Sequence, residues 1–337
     1  MRKFLAVVVH LLGPMTIVTN TEVTYSDASI LDDLSDIIYD ISPAETPVFS
    51  SLGRGKAKAP LFEWQIDELE APVSTNAQLE GDDVASFDAV TRPDRIGNYC
   101  QISRKTAIVG GTTEATSHAG IESVEGRALA RKMKELKRDI EKTIQENQPA
   151  VAGAAATPRQ TGTFLAFLKT NDDFGGGAGA SPVWTSIPNA ARTDGTQRAF
   201  TETILKAVLS AMWTAGASIE ASTMYLGAFN KAAFSAFGGN LIRNQTQSKP
   251  VKGTIVSAAD VYVGEFGTLK VVPNRHGRAR DGLVIDPNFA SVDYLRPFKR
   301  VPLAKTGDAE KTMLVVEWGL RVHNEAAHGL AADLTTS

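Results

Sequence analysis

Three side chains near the C-terminus have the chemistry of metal ligands: His323, Glu325 and His328. A zinc site on a helix needs two ligands one turn apart, at i and i+4, so that both lie on the same face. The two histidines are five residues apart, and no third ligand is identified. The spacing therefore predicts ordinary surface histidines and no metal site.

Two glycine-rich segments resemble nucleotide-binding loops in composition only. Residues 175–179 do not lead from a strand into a helix, as a loop that cradles phosphate must. Residues 53–56 lack both the spacing and the Ser or Thr of a Walker loop. We expect residues 172–181 to form a surface loop.

The single cysteine, Cys100, cannot form an internal disulfide. It lies in a strand-like segment with no histidine near it in sequence, so we expect a small packing residue and not a nucleophile. The sequence therefore predicts no catalytic residue, no cofactor and no metal, and the chain is not expected to be an enzyme.

Charge is unevenly distributed along the chain. The total is −3, from 35 basic and 38 acidic residues, which excludes a protein that binds nucleic acid over its whole surface. Residues 15–51 contain seven acidic side chains and no Lys or Arg. Basic residues concentrate between 273 and 305: Arg275, Arg278, Arg280, Arg296, Lys299, Arg300 and Lys305. This basic segment is either a solvated face or a surface that pairs with an acidic arm of a neighbouring chain or with nucleic acid.

The first 14 residues allow two interpretations. Arg2 and Lys3 precede an apolar run over residues 4–12, as in a secretory signal, but no small-residue cleavage site follows. The run is far shorter than the ~20 residues that span a bilayer. We favour an upstream extension before a start at Met15, the alternative being the signal of a secreted or cell-surface binding protein. No transmembrane segment is predicted.

Residues 53–112 predict a long two-stranded ribbon. Phe62, Trp64 and Ile66 alternate with polar residues, the pattern of a half-buried strand. Residues 97–110 predict a second strand, with Cys100, Ile102 and Ile108 on one face. A polar stretch over 74–95 separates the two. Because an isolated ribbon is marginal in water, it must rest on something, and a neighbouring chain is one candidate.

Periodicity predicts two amphipathic helices. The first covers residues 30–41, includes Ile37 and Ile41, and ends at Ser42-Pro43. The second covers residues 118–147, about 40 Å, with Arg131–Glu135 and Lys137–Glu141 as solvated four-residue pairs. Within residues 150–290, segments 201–215 and 230–237 predict helices, and segments 223–227, 254–256, 261–263, 269–272 and 284–285 predict strands. Residues 292–301 and 312–323 predict two further strands, so the fold class is α+β.

The order of these elements resembles that of tailed-phage major capsid proteins with the Hong Kong 97-type (HK97-like) fold, in particular the branch typified by phage SU10. The resemblance lies in LSDIIYDISPAETPVFSSLGRGKA (34–57), FEWQIDEL (62–69), RALARKMKELKRDIEKTI (127–144) and residues 292–334. These segments span nearly all of the chain after Met15.

The resemblance implies a domain organisation. Residues 1–14 would precede the capsid domain, 15–52 would be an N-terminal arm, and 53–112 an extended β-ribbon E-loop. Residues 113–149 would hold the long spine helix of the peripheral (P) domain. Residues 150–290 would form most of an α+β axial (A) domain, and 291–337 would return to the P-domain strands and the C-terminus.

The resemblance also implies a function. Such proteins assemble into hexamers and pentamers of an icosahedral shell around double-stranded DNA, so the expected location is the virion after assembly in the host cytoplasm. Expected partners are other copies of the chain, a separate scaffolding protein, a portal, and packaged DNA through weak non-specific contact, with no membrane. An encapsulin-like nanocompartment shell is the alternative with the same fold.

Eight residues are the candidate inter-subunit contacts. Two are apolar residues of the arm, three lie on the apolar face of the first ribbon strand, and three belong to the basic segment: Ile37, Ile41, Phe62, Trp64, Ile66, Arg296, Lys299 and Arg300. Trp64 and Phe62 are predicted to anchor the ribbon on an adjacent subunit, so that Trp64→Ala lowers the yield of shells while the monomer stays folded.

Overall fold

The computed structural model describes residues 45–337 except 79, 82, 84–86, 88, 91, 119 and 238–259. The chain divides into two units, 1–40 with 117–122, and 41–116 with 123–337. In the described part of the first unit, His118 and Ile121 form an isolated antiparallel bridge. All elements below belong to the second unit. The predicted helix 30–41, with Ile37 and Ile41, and a strand-like stretch at 254–256 lie outside the described residues.

Elements are numbered along the chain. The helices are α1 Pro47–Ser51, α2 Gly111–Ala115, α3 Val124–Ile144, α4 Phe164–Phe167, α5 Glu202–Thr214 and α6 Ala228–Ser235. The strands are β1 Gly53–Lys56, β2 Leu61–Ile66, β3 Asp94–Tyr99, β4 Gln101–Gly110, β5 Asp172–Asp173, β6 Thr223–Leu226, β7 Val261–Gly264, β8 Gly267–Pro273, β9 Gly282–Ile285, β10 Ala290–Pro302, β11 Ala309–Val322 and β12 Gly329–Ala331. Two 3-10 turns, Pro287–Phe289 and Glu325–Ala327, complete the list.

One four-stranded sheet, in the order β1-β10-β11-β4, carries α3 against one of its faces. The buried side of α3 consists of Leu136, Ile140 and Ile144, which join the main core with Val316 and Trp318 of β11. These apolar residues recur at helical spacing, so burial of that stripe holds the helix on the sheet.

The long helix is shorter than predicted. It begins at Val124 because Ser123 caps it, accepting a hydrogen bond from the Gly126 N–H at 3.0 Å. Its 21 residues give a length of about 31 Å. The predicted pair Lys137–Glu141 is wrong, because the Glu141 side chain is buried.

The predicted strand 97–110 is two strands, β3 and β4, which pair with different partners. β3 pairs antiparallel with β2 and forms the ribbon, whereas β4 pairs with β11. The break is at Cys100, whose N–H donates to the Pro60 carbonyl at 2.7 Å and whose side chain packs with Ala57 and Phe62. The chain passes from the ribbon to the sheet at this residue.

The break also corrects the predicted face of the second strand. Ile102 and Ile108 are 48% and 64% exposed, whereas Cys100 is buried. The odd-numbered side chains of β4 face α3, so the two isoleucines point away from it. A change of strand between 99 and 101 removes the alternation that placed the three on one face.

The remaining part of the fold is a six-stranded sheet in the order β5-β12-β9-β6-β8-β7. Its second core combines Leu205 and Met212 of α5 with Met224, Val271 and Val284 of the strands. The strand-like segments predicted near 223, 261, 269 and 284 are confirmed, as are the helices predicted at 201–215 and 230–237, within a few residues. The mixed helix and strand content confirms the α+β class.

Candidate inter-subunit interface

The root of the ribbon packs on its own chain. The Phe62 ring lies over Gly319, where a Cβ atom would come within 2.4 Å of it, and the side chain is only 5% exposed. The Trp64 indole N–H donates to the His323 carbonyl at 3.1 Å, and its ring lies 6.1 Å from that of Phe167. Phe62 therefore has little surface left for a neighbouring chain, and Trp64 is half-buried before any neighbour arrives.

A buried amide fixes the second ribbon strand. The Asn98 side-chain N–H groups donate to the carbonyls of Gly162 at 2.9 Å and Leu320 at 2.6 Å, and its oxygen accepts the Gly162 N–H at 2.7 Å. Buried polar groups are stable when fully hydrogen-bonded, and this one ties the ribbon to β11. The sequence carries no signal for this residue, because an isolated Asn in a strand gives no hint of its partners.

Beyond the root, the ribbon connection (residues 67–93) exposes large apolar side chains. Leu69 is 97% exposed and Phe87 90%, and Val73 and Val90 are also exposed. In sequence the connection contains seven acidic residues and one basic residue. Several large apolar side chains exposed in one segment are typical of an interaction surface, and this segment is acidic in sequence.

The four-stranded sheet has a second exposed surface on the side away from α3. The pairs Val315↔Arg104 and Val315↔Lys299 place Arg104 and Lys299 on this side, and Ile108 pairs with Lys311 there. We call it the outer sheet face; its members are Ile102, Arg104, Thr106, Ile108, Arg296, Lys299, Val301, Leu303, Lys311 and Met313. It combines apolar and basic side chains, the complement of the ribbon connection.

The structure separates the three basic contact candidates. Arg296 pairs with Glu317 at 2.6 Å, and Lys299 lies on the outer sheet face. Arg300 lies on the other side of the sheet, where its guanidinium contacts Glu125 of α3 at 2.6 Å. Alternation along β10 and two irregularities in its register produce this split.

Other residues of the basic segment belong to an internal ion network. Arg278 and Arg280 both contact the Asp194 carboxylate, and Arg280 also reaches Asp333 at 2.5 Å. The Arg278 guanidinium holds the pKa of Asp194 below its ordinary value. Residues 273–305 are therefore not one basic face, because residues near 278 pair within the chain beside the six-stranded sheet.

The three C-terminal candidates for metal ligation do not converge. In the ranges that the structure describes, no group of His, Cys, Asp and Glu side chains is arranged to hold a metal ion. The expectation that His328 is a surface residue is wrong: it is fully buried, and its Nδ1 accepts the Asp286 N–H at 3.2 Å. Burial lowers the pKa of His328 to about 4, so the ring is neutral.

Cys100 is the packing residue that the sequence predicts. Burial raises the pKa of its thiol to about 12, the opposite of what a nucleophile needs. No helix within the described ranges is long and apolar enough to cross a bilayer.

The sequence missed Glu141, the residue that joins α1 to α3. Its carboxylate accepts the backbone N–H groups of Val48 at 3.2 Å and Phe49 at 2.6 Å, together with the amide of Asn274 at 2.6 Å. Burial raises the pKa of Glu141, and these donors partly offset the effect. In sequence this residue looks like one more charge on a solvated helix.

Comparison with known proteins identifies the family. A family model described as SU10 major capsid protein matches residues 17–335. The chain belongs to the SU10 major capsid protein family. It is 28% identical to the major capsid protein of Escherichia phage Phieco32, over 86% of this chain and 90% of that protein.

Solved structures show the same fold. The capsid subunit of cyanophage A-1(L) is 16% identical, with a TM-score of 0.63 over 91% of this chain and 97% of that one. The capsid of a native GTA particle is 12% identical, with a TM-score of 0.60 over 94% and 100%. The chain therefore has the Hong Kong 97-type capsid fold. It is a structural, shell-forming component of the virion and not an enzyme.

Proposed function

We propose that this major capsid protein forms hexamers and pentamers of a closed icosahedral shell, in which the ribbon connection of each subunit lies on the outer sheet face of its neighbour. Assembly would take place in the host cytoplasm with a scaffolding protein and a portal, and the finished shell would enclose double-stranded DNA. The observation that carries the proposal is the pair of complementary exposed surfaces on one chain.

The proposal includes a domain assignment. Residues 15–52 would be the N-terminal arm. Of the predicted E-loop 53–112, only β2, β3 and the ribbon connection would form the loop, with its root fixed on its own P domain, because β1 and β4 are strands of the four-stranded sheet. Helix α3 and the four-stranded sheet would form the P domain, and the six-stranded sheet with α5 and α6 the A domain.

The reach of the ribbon connection supports contact with a neighbour. It has 27 residues, so each half, fully extended, covers about 45 Å at roughly 3.3 Å per residue. A connection of that length allows Leu69 and Phe87 to lie on another subunit. Burial of those side chains supplies the favourable energy of the contact.

Charge supports the choice of surface. The ribbon connection carries a sequence net charge of −6, from seven acidic residues and one basic residue. The outer sheet face offers Arg104, Lys299 and Lys311 around Ile102 and Ile108. Such complementarity orients two surfaces, while their apolar residues provide most of the affinity.

Disulfide trapping tests the proposal. Ile108→Cys is combined in turn with Leu69→Cys, Val73→Cys and Val90→Cys, then oxidised in assembled shells. At least one pair should give a denaturing-gel ladder that ends at five and six linked chains. The native Cys100 does not interfere, because it is buried.

The matched control is Lys134→Cys, on the α3 side of the sheet, with the same partners; it should give no ladder. Bonds confined to one chain, or ladders equal to those of the control, would contradict the proposed contact. The encapsulin-like alternative has the same shell but a protein cargo. Extraction of nucleic acid from purified particles distinguishes the two, and the family match favours the phage head.

A further inference from the structure

Helix α3 presents a line of cations on the side away from the sheet, of which Arg131 and Lys134 are exposed and Arg127 and Arg138 are half-buried. We call Arg127, Arg131, Lys134 and Arg138 the basic stripe; their spacings of four, three and four residues place them on one helix face. At about 100° per residue, this line lies about 150–170° around the axis from the buried residues Leu136 and Ile140. The stripe therefore points away from the sheet.

The acidic residues of α3 do not neutralise the stripe. Glu125 pairs with Arg300 at 2.6 Å, Glu135 with Lys132 at 2.8 Å and Asp139 with Lys105 at 2.7 Å. Glu141 is buried. No ion pair found among the residues that the structure describes includes a member of the stripe. The predicted pair Arg131–Glu135 is thus replaced by Lys132–Glu135.

Two further cations, Lys142 and Arg275, lie near the C-terminal end of the stripe. The pKa of His276 is lowered mainly by burial and further by the positive charges of Arg138, Lys142 and Arg275. These cations consequently lie close enough to act on one ring. The positive charge is weaker here than along the stripe, because Lys142 pairs with Glu146 at 2.6 Å and Glu45 acts on the same ring. The four cations of the stripe itself form a line along which a polyanion can lie.

We propose that the basic stripe is the surface of the shell that contacts the phosphate backbone of packaged double-stranded DNA. The proposal rests on the proposed function, because the neighbour's ribbon connection would cover the opposite side of the sheet and leave the α3 side of the subunit to the packaged DNA.

The chemistry of the stripe fits weak, sequence-independent binding. Its four cations extend over about 16 Å of helix, and B-DNA carries one negative charge per ~1.7 Å of its axis. Arg side chains bind phosphate with two parallel N–H groups, whereas Lys acts as a point charge. The whole chain has a net charge of −3, so the stripe is a local contact on a wall that otherwise does not hold DNA tightly.

The first test measures DNA binding by dissociated subunits. Binding of a 30-base-pair duplex at several salt concentrations should give a log–log slope of about −3.6 if all four cations contact phosphates. The variant Arg127→Gln, Arg131→Gln, Lys134→Gln and Arg138→Gln should bring the slope close to zero. The matched control replaces four exposed lysines elsewhere and should keep the wild-type slope: Lys56→Gln, Lys58→Gln, Lys270→Gln and Lys305→Gln.

The second test locates the stripe in particles. A small amine-reactive reagent should modify Lys134 in empty shells. In DNA-filled heads the modification of Lys134 should be at least about five-fold lower, with exposed Lys270 as the internal standard. Equal modification in empty and filled particles would overturn the proposal. Protection already complete in shells that contain scaffold but no DNA would assign the stripe to the scaffolding protein instead.

The two tests separate this proposal from the proposed function. If no shells form from the wild-type chain, the proposed function fails, and the duplex-binding slope is still measurable. If shells form, and the stripe variant binds DNA with the same salt dependence as the lysine control variant, only the stripe proposal fails.

Discussion

Replacement of Glu141 by Ala removes the hydrogen bonds that link α1 to the long helix α3. Its carboxylate accepts hydrogen bonds from two backbone N–H groups of α1 and from the amides of Gln145 and Asn274. A hydrogen bond to a charged group contributes about 1.5–3 kcal/mol, and a buried donor left without a partner costs about 1–3 kcal/mol. Relief of the buried charge offsets part of the loss.

We therefore expect Glu141→Ala to lower the free energy of unfolding by about 3 kcal/mol. Urea denaturation of soluble subunits measures this change, with Glu135→Ala as the matched control on the same helix. Glu135 forms a partly exposed pair with Lys132, so its loss should cost at most about 1 kcal/mol. If the two variants have equal stability, the buried joint does not contribute as described.

The pH dependence of Glu141 provides an independent check. Burial raises its pKa in the folded state above the ordinary value of 4.5. Folding then favours the protonated form, so this contribution to stability is present below pH 4.5 and is lost as pH rises through the folded pKa. The stability of the wild type should fall relative to Glu141→Gln across that interval. If the free energies of unfolding of the two proteins change in parallel with pH, Glu141 does not have the raised pKa described.

Three other predictions use the same unfolding assay. Trp64→Ala should lower the stability of the subunit by about 2 kcal/mol, because the indole packs on Phe62 and donates to a backbone carbonyl within its own chain. The yield of shells should fall as well. Unchanged stability with a lower yield would mean that Trp64 acts only between subunits. His328 has a pKa near 4 when folded, against 6.5 ordinarily, so its contribution to stability is complete above pH 6.5 and is lost as pH falls to about 4. His328→Gln should make the loss of stability between pH 6.5 and about 4 smaller. An unchanged loss of stability over this range would contradict the lowered pKa of His328. Cys100→Ala should cost about 1–2 kcal/mol and leave the shell yield nearly unchanged, and a large loss of assembly in stable subunits would give this thiol a role beyond packing.

Local patterns in the sequence were sufficient for much of the fold. The alternation at Phe62, Trp64 and Ile66 predicts the strand that the structure shows, and helical spacing predicts α3 to within six residues at either end. These patterns work because the local backbone geometry sets how side-chain directions repeat along a strand or a helix. The family resemblance supplied the order of domains, which local patterns do not provide.

Tertiary structure decided which surfaces are free. Phe62 looks like an interface anchor in sequence, yet Gly319 on a distant strand makes room for it within the chain. Glu141 and Lys134 are alike as charges on one helix, but only Glu141 meets buried donors. Burial and pairing depend on residues far apart in sequence, so the chain by itself determined the elements and the family. Only the packing of those elements decided which charges are neutralised and which remain for a partner.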